Sequence, residues 1–374
     1  MTVWSALVVG GGITGSMLSL ALARRGVQVD LAEISPRWHG AGHGITVQGN
    51  ALAALARLGV LDEVLKRGVP FDHVRMLRAD GELIADVPTP RTGGPRLPAT
   101  LGALRSDLQA VLCERVRDAD VNVRLGLTVK TLSQDACKAH VEFTDGTTGS
   151  YDLVAGADGI RSAIRPLLGI STEPRTTGMS IWRVVAPRPA GMDCAERYDG
   201  GPRYMAGLSP VSASQCYAYI ADEDRDDFGA GQPWQLMCER SAGYGGAWAE
   251  IRQAIGPDSC VSHTRIEWLL VPDPWYRGRV IVVGDAAHAC PPLIAQGAAM
   301  CAEDAVVLAE VVTAGASLDR ALPAFMARRL PRVRRVVRNS LQLARWETGA
   351  EPHTGQDVAQ AVESTLGFLA ASQA

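Results

Sequence analysis

Asp285, His288 and Cys290 fall close together in Val283-Gly-Asp-Ala-Ala-His-Ala-Cys-Pro-Pro292, and Gln296-Gly297 follow. These residue types offer three chemistries. A metal centre needs several His, Cys or carboxylate ligands at matched spacing. No further ligand is spaced to join this group, and none of the eight cysteines forms a C-x-x-C. No metal is expected. A thiolate nucleophile needs a neighbour that lowers its pKa, and Cys290 has no identifiable activating context. The third chemistry is a cofactor loop. Pro291 and Pro292 then stiffen a wall, and the helix entered after Gln296-Gly297 presents its N-terminus to negative charge. His288 and Cys290 become expected bystanders.

The elements that position this loop are readable. Gly278 to Gly284 is an apolar strand, Asp285 ends it, and Ala298 to Val312 has helical character. The same order occurs at the start of the chain. Ala6-Leu-Val-Val9 reads as a buried parallel strand, followed by Gly10-Gly-Gly12-Ile13-Thr14-Gly15 and an apolar-periodic stretch from Ser16 to Arg25. Val27 to Leu31 is a second strand, which ends in Glu33. In a G-x-G-x-x-G, Gly10 allows the tight turn, Gly12 lets backbone approach a pyrophosphate, and Gly15 lets helix pack on strand. The helix N-terminus supplies N–H donors to phosphate. Glu33 suits ribose hydroxyls and repels a 2′-phosphate. This unit fits FAD and NAD equally.

A third strand, from Tyr151, ends at Asp158-Gly159, and Ile160 to Arg165 is expected to open a helix. An Asp beside two arginines spaced by four suits a charged pocket near phosphates. The six arginines between Arg328 and Arg338 read as a solvated helix face, because no aromatics interleave them. A chain of 374 residues, 47% of them hydrophobic, can build two domains, and a net charge of −3 does not point to nucleic acid or an anionic membrane. The uncharged stretch Val3 to Ala23 is interrupted by glycines and lacks a basic leader, so strand, turn and helix explain it better than a signal peptide. A cytoplasmic protein with reduced thiols is expected.

With these three motifs in this order, the chain resembles the class A flavoprotein monooxygenases, the para-hydroxybenzoate hydroxylase-like single-component aromatic hydroxylases. Gly44-Ile-Thr-Val-Gln-Gly-Asn50, Arg105-Ser-Asp-Leu108, Trp182-Arg183 and Arg329-Leu-Pro331-Arg-Val333 resemble further family segments. Ala295-Gln-Gly-Ala-Ala-Met300 resembles the branch with salicylate, hydroxybenzoate and hydroxynicotinate hydroxylases. The resemblance implies an α/β fold, α+β overall: a Rossmann-like FAD domain with an inserted antiparallel-sheet substrate domain and C-terminal helices. The FAD domain is expected over 1–75, 98–175 and 265–340, the substrate domain over 76–97 and 176–264, and a helical segment over 341–374.

The same resemblance implies the site. Gly10, Gly12, Ile13, Thr14, Gly15, Glu33 and Ile34 hold the ADP half of FAD, Arg105 the diphosphate, and Val129 the adenine through backbone. Asp158 supports FAD and the passing nicotinamide cofactor. Gly284 and Asp285 serve the ribityl chain, and Gln296, Gly297, Ala298 and Ala299 the flavin pyrimidine edge. NADH or NADPH and O2 are the implied transient co-substrates, and hydroxylation runs through a flavin C4a-hydroperoxide. Candidate catalytic residues are His43, Arg183, Tyr204 and Pro292. Thr46 stands where some pyridine-ring hydroxylases of this branch have a His, which argues against a hydroxynicotinate substrate. A neutral or weakly polar aromatic is expected, with the protein a monomer or homodimer. The competing readings are an FAD-dependent reductase or epoxidase of an isoprenoid or other natural product, a plain NAD dehydrogenase, and a non-catalytic flavin-fold protein that sequesters an intermediate.

Overall fold

The computed structural model describes residues 3–38, 42–225 and 231–372. The apolar run at the start forms strand Ser5–Val9, which pairs in parallel with Gln28–Glu33 on one side and Leu153–Gly156 on the other. These strands lie inside a six-stranded sheet ordered Tyr276–Arg277, Val280–Val282, Leu153–Gly156, Ser5–Val9, Gln28–Glu33, Asn122–Leu125. All its pairs are parallel except the edge pair that includes Tyr276–Arg277. A parallel strand is covered on both faces and carries apolar residues without alternation; Ala6, Leu7, Val8 and Val9 are all fully buried. Helices Ile13–Ala23, Arg105–Arg117, Gly297–Thr313 and Leu318–Glu347 contribute to the same core. A three-stranded antiparallel sheet, Val129–Gln134, Ala139–Phe143 and Thr148–Tyr151, precedes strand Leu153–Gly156 in the chain.

A seven-stranded sheet is built from two parts of the chain, in the order Ser262–Trp268, Arg175–Pro187, Gln215–Glu223, Met205–Pro210, Ala195–Asp199, His73–Arg78, Leu83–Pro88. It is antiparallel apart from one pair, Ala195–Asp199 with His73–Arg78, where the two parts meet. Period-two alternation gives it two unlike faces. Trp182, Val184, Leu208, Ala218 and Ile220 pack against Leu236, Met237, Trp248 and Ile251 of helices Pro233–Ser241 and Ala247–Ala254. The opposite face carries Arg183, Tyr217, Tyr219, Gly207 and Ser209, in register across three strands.

A small sheet of Gly44–Gln48, Thr100–Leu104 and Val69–Phe71 lies against that second face. Val47, Leu101 and Ala103 point into the main core. Gly44 and Gly102 face the other way: a Cβ at Gly44 would lie 2.2 Å from Tyr217 Cβ, and one at Gly102 would lie 2.0 Å from the Pro210 carbonyl. Only glycine permits this approach of sheet on sheet. Leu318–Glu347 is one continuous helix that runs through the expected boundary at residue 340, and Gly355–Ala371 follows it. Among the described residues, no helix is long and apolar enough to cross a membrane.

Candidate active site

The glycine-rich turn is held from several sides. Gly10 has φ +101°, and a Cβ there would lie 2.5 Å from the Ala157 carbonyl oxygen. A Cβ at Gly15 would fall 1.8 Å from the Gly10 carbonyl oxygen. Gly12 differs: it is exposed, and nothing lies within 4 Å of the Cβ position. It is also the N-cap of helix Ile13–Ala23, which has no side-chain cap. The first N–H groups of this helix have no partner within it. Trp38 Nε1 and Gln109 Nε2 each donate to the Gly11 carbonyl at 2.8 Å and so fix the turn.

At the end of the second strand, Glu33 accepts from Gly11 N at 2.6 Å and from Ser35 N at 2.8 Å. Ile34 beside it is 69% exposed, and Leu127 N donates to the Glu33 carbonyl at 3.2 Å. That contact brings the chain just before Val129 to the same place. An exposed apolar side chain, a carboxylate and extended backbone make a fitting frame for an adenosine. Arg105 opens helix Arg105–Arg117, and its guanidinium has no hydrogen-bond or ion-pair partner among the described residues.

The loop at Asp285 meets this turn. Gly284 has φ +61°, and a Cβ there would lie 2.4 Å from Thr14 Oγ1. Gly284 N donates to Asp304 Oδ2 at 2.9 Å, and Asp285 is exposed. Pro292 is exposed at the start of a short helical turn, Pro292–Ile294. Ala295 then takes φ +51°, and Gln296 is the N-cap of Gly297–Thr313, again without a side-chain cap. Gly297 and Ala298 are half-buried and Ala299 is buried. The Gln296 side chain is fully buried. Its Oε1 accepts from Asn50 Nδ2 at 3.1 Å, and its Nε2 has no partner among the described residues. Two uncapped helix N-termini, the open space before Gly12 and the unpaired Gln296 donor fit a long anionic cofactor such as FAD.

A buried charge cluster supports this loop, and here the sequence expectations need correcting. His288 is part of this cluster. It is 2% exposed, and its Nε2 lies 2.6 Å from Asp304 Oδ2. Arg329 Nε donates to Asp304 Oδ1 at 2.7 Å, and Arg329 also pairs with Glu303. Arg332 binds both Glu303 oxygens, at 2.8 and 2.6 Å. The arginine run is therefore not simply a solvated face: Arg329 and Arg332 are buried because Glu303 and Asp304 require them. Burial works against ionisation of Asp304, but His288 and Arg329 prevail and hold its carboxyl at about 2. Asn50 Nδ2 donates to Glu303 at 2.6 Å as well as to Gln296, so the cluster also orients Gln296. Burial pushes the Cys290 thiol up to about 12, which leaves it inert as a nucleophile.

Asp158 accepts from Ala163 N at 2.7 Å and Ile164 N at 3.1 Å, while its other oxygen is buried without a partner among the described residues. Burial raises its pKa. The helix expected from Ile160 is only Ile164–Leu167, because the Asp158 carboxylate takes the N–H groups that lead into it. The two arginines there do not converge on a phosphate pocket. Arg161 pairs with Glu267 at 2.8 Å, and Arg165 donates to the Ile160 and Ala286 carbonyls.

On the sheet face, Arg183 Nη1 donates to Thr264 at 2.6 Å. The Tyr217 and Tyr219 rings lie 5.4 Å apart. Burial pushes Tyr219 up to about 12, so its hydroxyl stays protonated. Arg197 is paired with Asp199 and Glu347. Tyr204 is half-buried with Tyr219 and Leu293 around Met179, Met205 and Ile266, which joins the sheet to the Pro292 loop. His43 Nε2 lies 2.9 Å from the Cys260 carbonyl, and its Nδ1 lies 3.3 Å from Ser262 Oγ. A carbonyl only accepts, so Nε2 carries the proton and Nδ1 accepts from the serine. The one group of metal-type ligands among the described residues is His73, Asp193 and Cys194, and it includes neither His288 nor Cys290.

Sequence reasoning missed Trp38, Gln109, Asn50, Glu303, Asp304 and the buried role of Arg329. One signal was available: Glu303 and Asp304 are adjacent acids in the otherwise apolar stretch Gly297 to Ala309, and such acids need buried cations.

Residues 4–200 and 261–340 match the family model described as FAD binding domain. Over 351 residues the chain is 30% identical to a putative FAD-dependent monooxygenase, YetM, of Bacillus subtilis, covering 92% of this chain and 94% of that one. It is 31% identical over 313 residues to 2-heptyl-3-hydroxy-4(1H)-quinolone synthase of Pseudomonas aeruginosa, covering 82% and 80%. The fold matches that of HpxO of Klebsiella pneumoniae complexed with FAD and uric acid, with a TM-score of 0.82, 26% identity and coverage of 97% and 96%. On fold, site geometry and these matches together, the chain belongs to the FAD-binding-domain family of flavoprotein monooxygenases.

Proposed function

We propose that this protein uses FAD, NADH or NADPH, and O2 to hydroxylate a neutral, electron-rich aromatic or heteroaromatic small molecule. The observation that carries this reading is the contact of Thr14 with Gly284. It brings the turn before helix Ile13–Ala23 beside the loop that leads to helix Gly297–Thr313, and the uncapped N-termini of both helices support the binding of one long anionic cofactor. Bound FAD supplies the electron transfer and oxygen activation, and the chain binds, orients and shields.

In this reading Gly10, Gly12, Ile13, Thr14, Gly15, Glu33, Ile34 and Val129 would hold the ADP half, and the Arg105 guanidinium would serve the diphosphate. To bind ribose, Glu33 must release Gly11 N. Asp285 accepts from ribityl hydroxyls. Gln296 Nε2 and the N–H groups of Gly297, Ala298 and Ala299 meet the ring edge, where a helix N-terminus stabilises negative charge. Asp158 braces this half of the molecule. Leu293, packed with Tyr204 and Tyr219, and the neighbouring Pro292 would help to shield the bound cofactor from water.

A neutral substrate is supported by the charges on the sheet face. Arg197 is already neutralised by two carboxylates. We assign His43 to bridging the small sheet and the large one rather than to proton abstraction, since both ring nitrogens are occupied. The test is the purified protein's spectrum and turnover. Flavin absorbance, with NAD(P)H oxidation stimulated at least several-fold by a neutral aromatic, is expected. Oxidation that no neutral aromatic stimulates would overturn the reading.

A further inference from the structure

His73, Asp193 and Cys194 each bring one ligand atom to within 4.8 Å of the other two. Imidazole, carboxylate and sulfur together are the donor set of a borderline divalent cation such as Zn2+, whose bonds run about 2.0–2.3 Å. An ion placed between the three atoms closes such a span with small side-chain shifts. Register explains why they meet. Val74 and Arg75 pair with Ala195 and Glu196, at the one parallel pair of the seven-stranded sheet, and His73 and Cys194 lie one residue earlier on either side. Glu196 aligns in turn with Leu208, and Leu208 with Ala218, which pack against helices Pro233–Ser241 and Ala247–Ala254. Alternation puts His73, Arg75, Cys194 and Glu196 on that helix-covered face, opposite Tyr217 and Tyr219.

The charges there point to a cation as well. Arg75 has three acids around it: it pairs with Asp193 Oδ1 at 2.8 Å, and Asp86 and Glu196 are its cross-strand neighbours. One guanidinium does not offset three carboxyl groups, and an outer partner of this kind orients a ligating carboxylate. Asp86 Oδ2 lies 3.7 Å from His73 Nε2, too far for a hydrogen bond and close to the separation of two ligands on one tetrahedral ion. Cys194 is fully buried, whereas the Asp193 side chain is 62% exposed and opens on a surface depression lined by Arg188, Pro189 and Met192, which gives an ion its entry. We infer that His73, Asp193 and Cys194, with Asp86 or a water in the fourth position, bind Zn2+ or a cation of its class and so staple together the two parts of the chain that build the large sheet. Burial pushes the Cys194 thiol up to about 11. The ion displaces that proton to solvent, since a coordinating thiol is deprotonated outright.

The test uses the purified full chain, stripped of metal with a chelator, and Co2+ as a spectroscopic probe. One equivalent of Co2+ is expected to give visible bands beyond the flavin absorption, with sulfur-to-cobalt charge transfer in the difference spectrum. Added Zn2+ should abolish both. Cys194→Ser should remove the charge transfer, and His73→Gln should weaken Co2+ binding by about 10-fold or more. Cys137→Ser and Cys260→Ser, at exposed free thiols, should change neither signal. Zn2+ should also raise the wild-type melting temperature by a few degrees and leave that of Cys194→Ser unmoved. Where Cys194→Ser does not fold, His73→Gln and the wild-type spectrum decide. Co2+ that binds without sulfur charge transfer, or with charge transfer that survives Cys194→Ser, overturns the inference. So does Zn2+ that leaves the wild-type melting temperature unchanged. The site shares no residue with the proposed hydroxylase site, so its failure leaves that reading standing.

Discussion

Gly12→Ala separates the needs of the cofactor from the needs of the fold. In the folded chain nothing lies within 4 Å of a Cβ at this position, and Gly12 has φ −71°, which alanine adopts freely. The apoprotein should lose only the difference between glycine and alanine as a helix N-cap, about 0.5–1 kcal/mol. The added methyl group projects into the space where backbone meets the pyrophosphate. Displacing the phosphates costs roughly one charge-assisted hydrogen bond, about 1.5–3 kcal/mol, or a roughly 10- to 100-fold weaker FAD complex. The assay is titration of apoprotein with FAD by flavin fluorescence, beside urea denaturation of the apoprotein. Gly15→Ala is the contrast. Its Cβ would sit 1.8 Å from the Gly10 carbonyl oxygen, so it should damage the fold itself. Unchanged FAD affinity for Gly12→Ala, or a loss of apoprotein stability above about 2 kcal/mol, would refute the reasoning.

Other consequences follow from the buried charge cluster. Arg329→Met strips Asp304 and Glu303 of a fully buried partner and should cost roughly 3–5 kcal/mol in urea denaturation, whereas Arg57→Ala at a half-exposed pair should cost about 0–1 kcal/mol. Equal small losses would mean that the cluster is hydrated. The Asp304 carboxyl sits at about 2 when folded against an ordinary 3.8. A folded value below the unfolded one stabilises fully above the unfolded value. Roughly 2 kcal/mol should therefore be lost as pH falls from about 4 through about 2, beyond what Asp304→Asn loses. Matching urea midpoints for the two proteins across that range would contradict this. His288→Ala should destabilise by about 1–3 kcal/mol, by leaving Asp304 short of a partner, whereas Cys290→Ala should retain both FAD and turnover. A loss of activity in Cys290→Ala would give the thiol a role that its protonation denies.

Much of the cofactor half was legible in the sequence, because its constraints are local. Gly10, Gly12 and Gly15 act within one turn, and the strands before Gly10, Asp158 and Asp285 show themselves by unbroken apolar runs. Elements that depend on distant partners were not legible. Arg329 and Arg332 look like surface charges until Glu303 and Asp304 are seen in the helix they face. His288 looks idle until Asp304 appears beside it. The helix after Gly159 was overextended because a carboxylate that takes backbone N–H groups leaves no mark in hydrophobic periodicity. The second face of the large sheet was the least legible, since Gly44 meets Tyr217 and Gly102 meets Ser209 only through the packing of two separate sheets.

The most direct test of the account is the fate of molecular oxygen. The FAD-loaded protein is given NADH or NADPH and an aromatic that stimulates its oxidation, under oxygen gas labelled with the heavy isotope. The account predicts one labelled oxygen atom in each hydroxylated product and the other in water. A product labelled only from water, or reducing equivalents passed wholly to hydrogen peroxide with the aromatic unchanged, would contradict it.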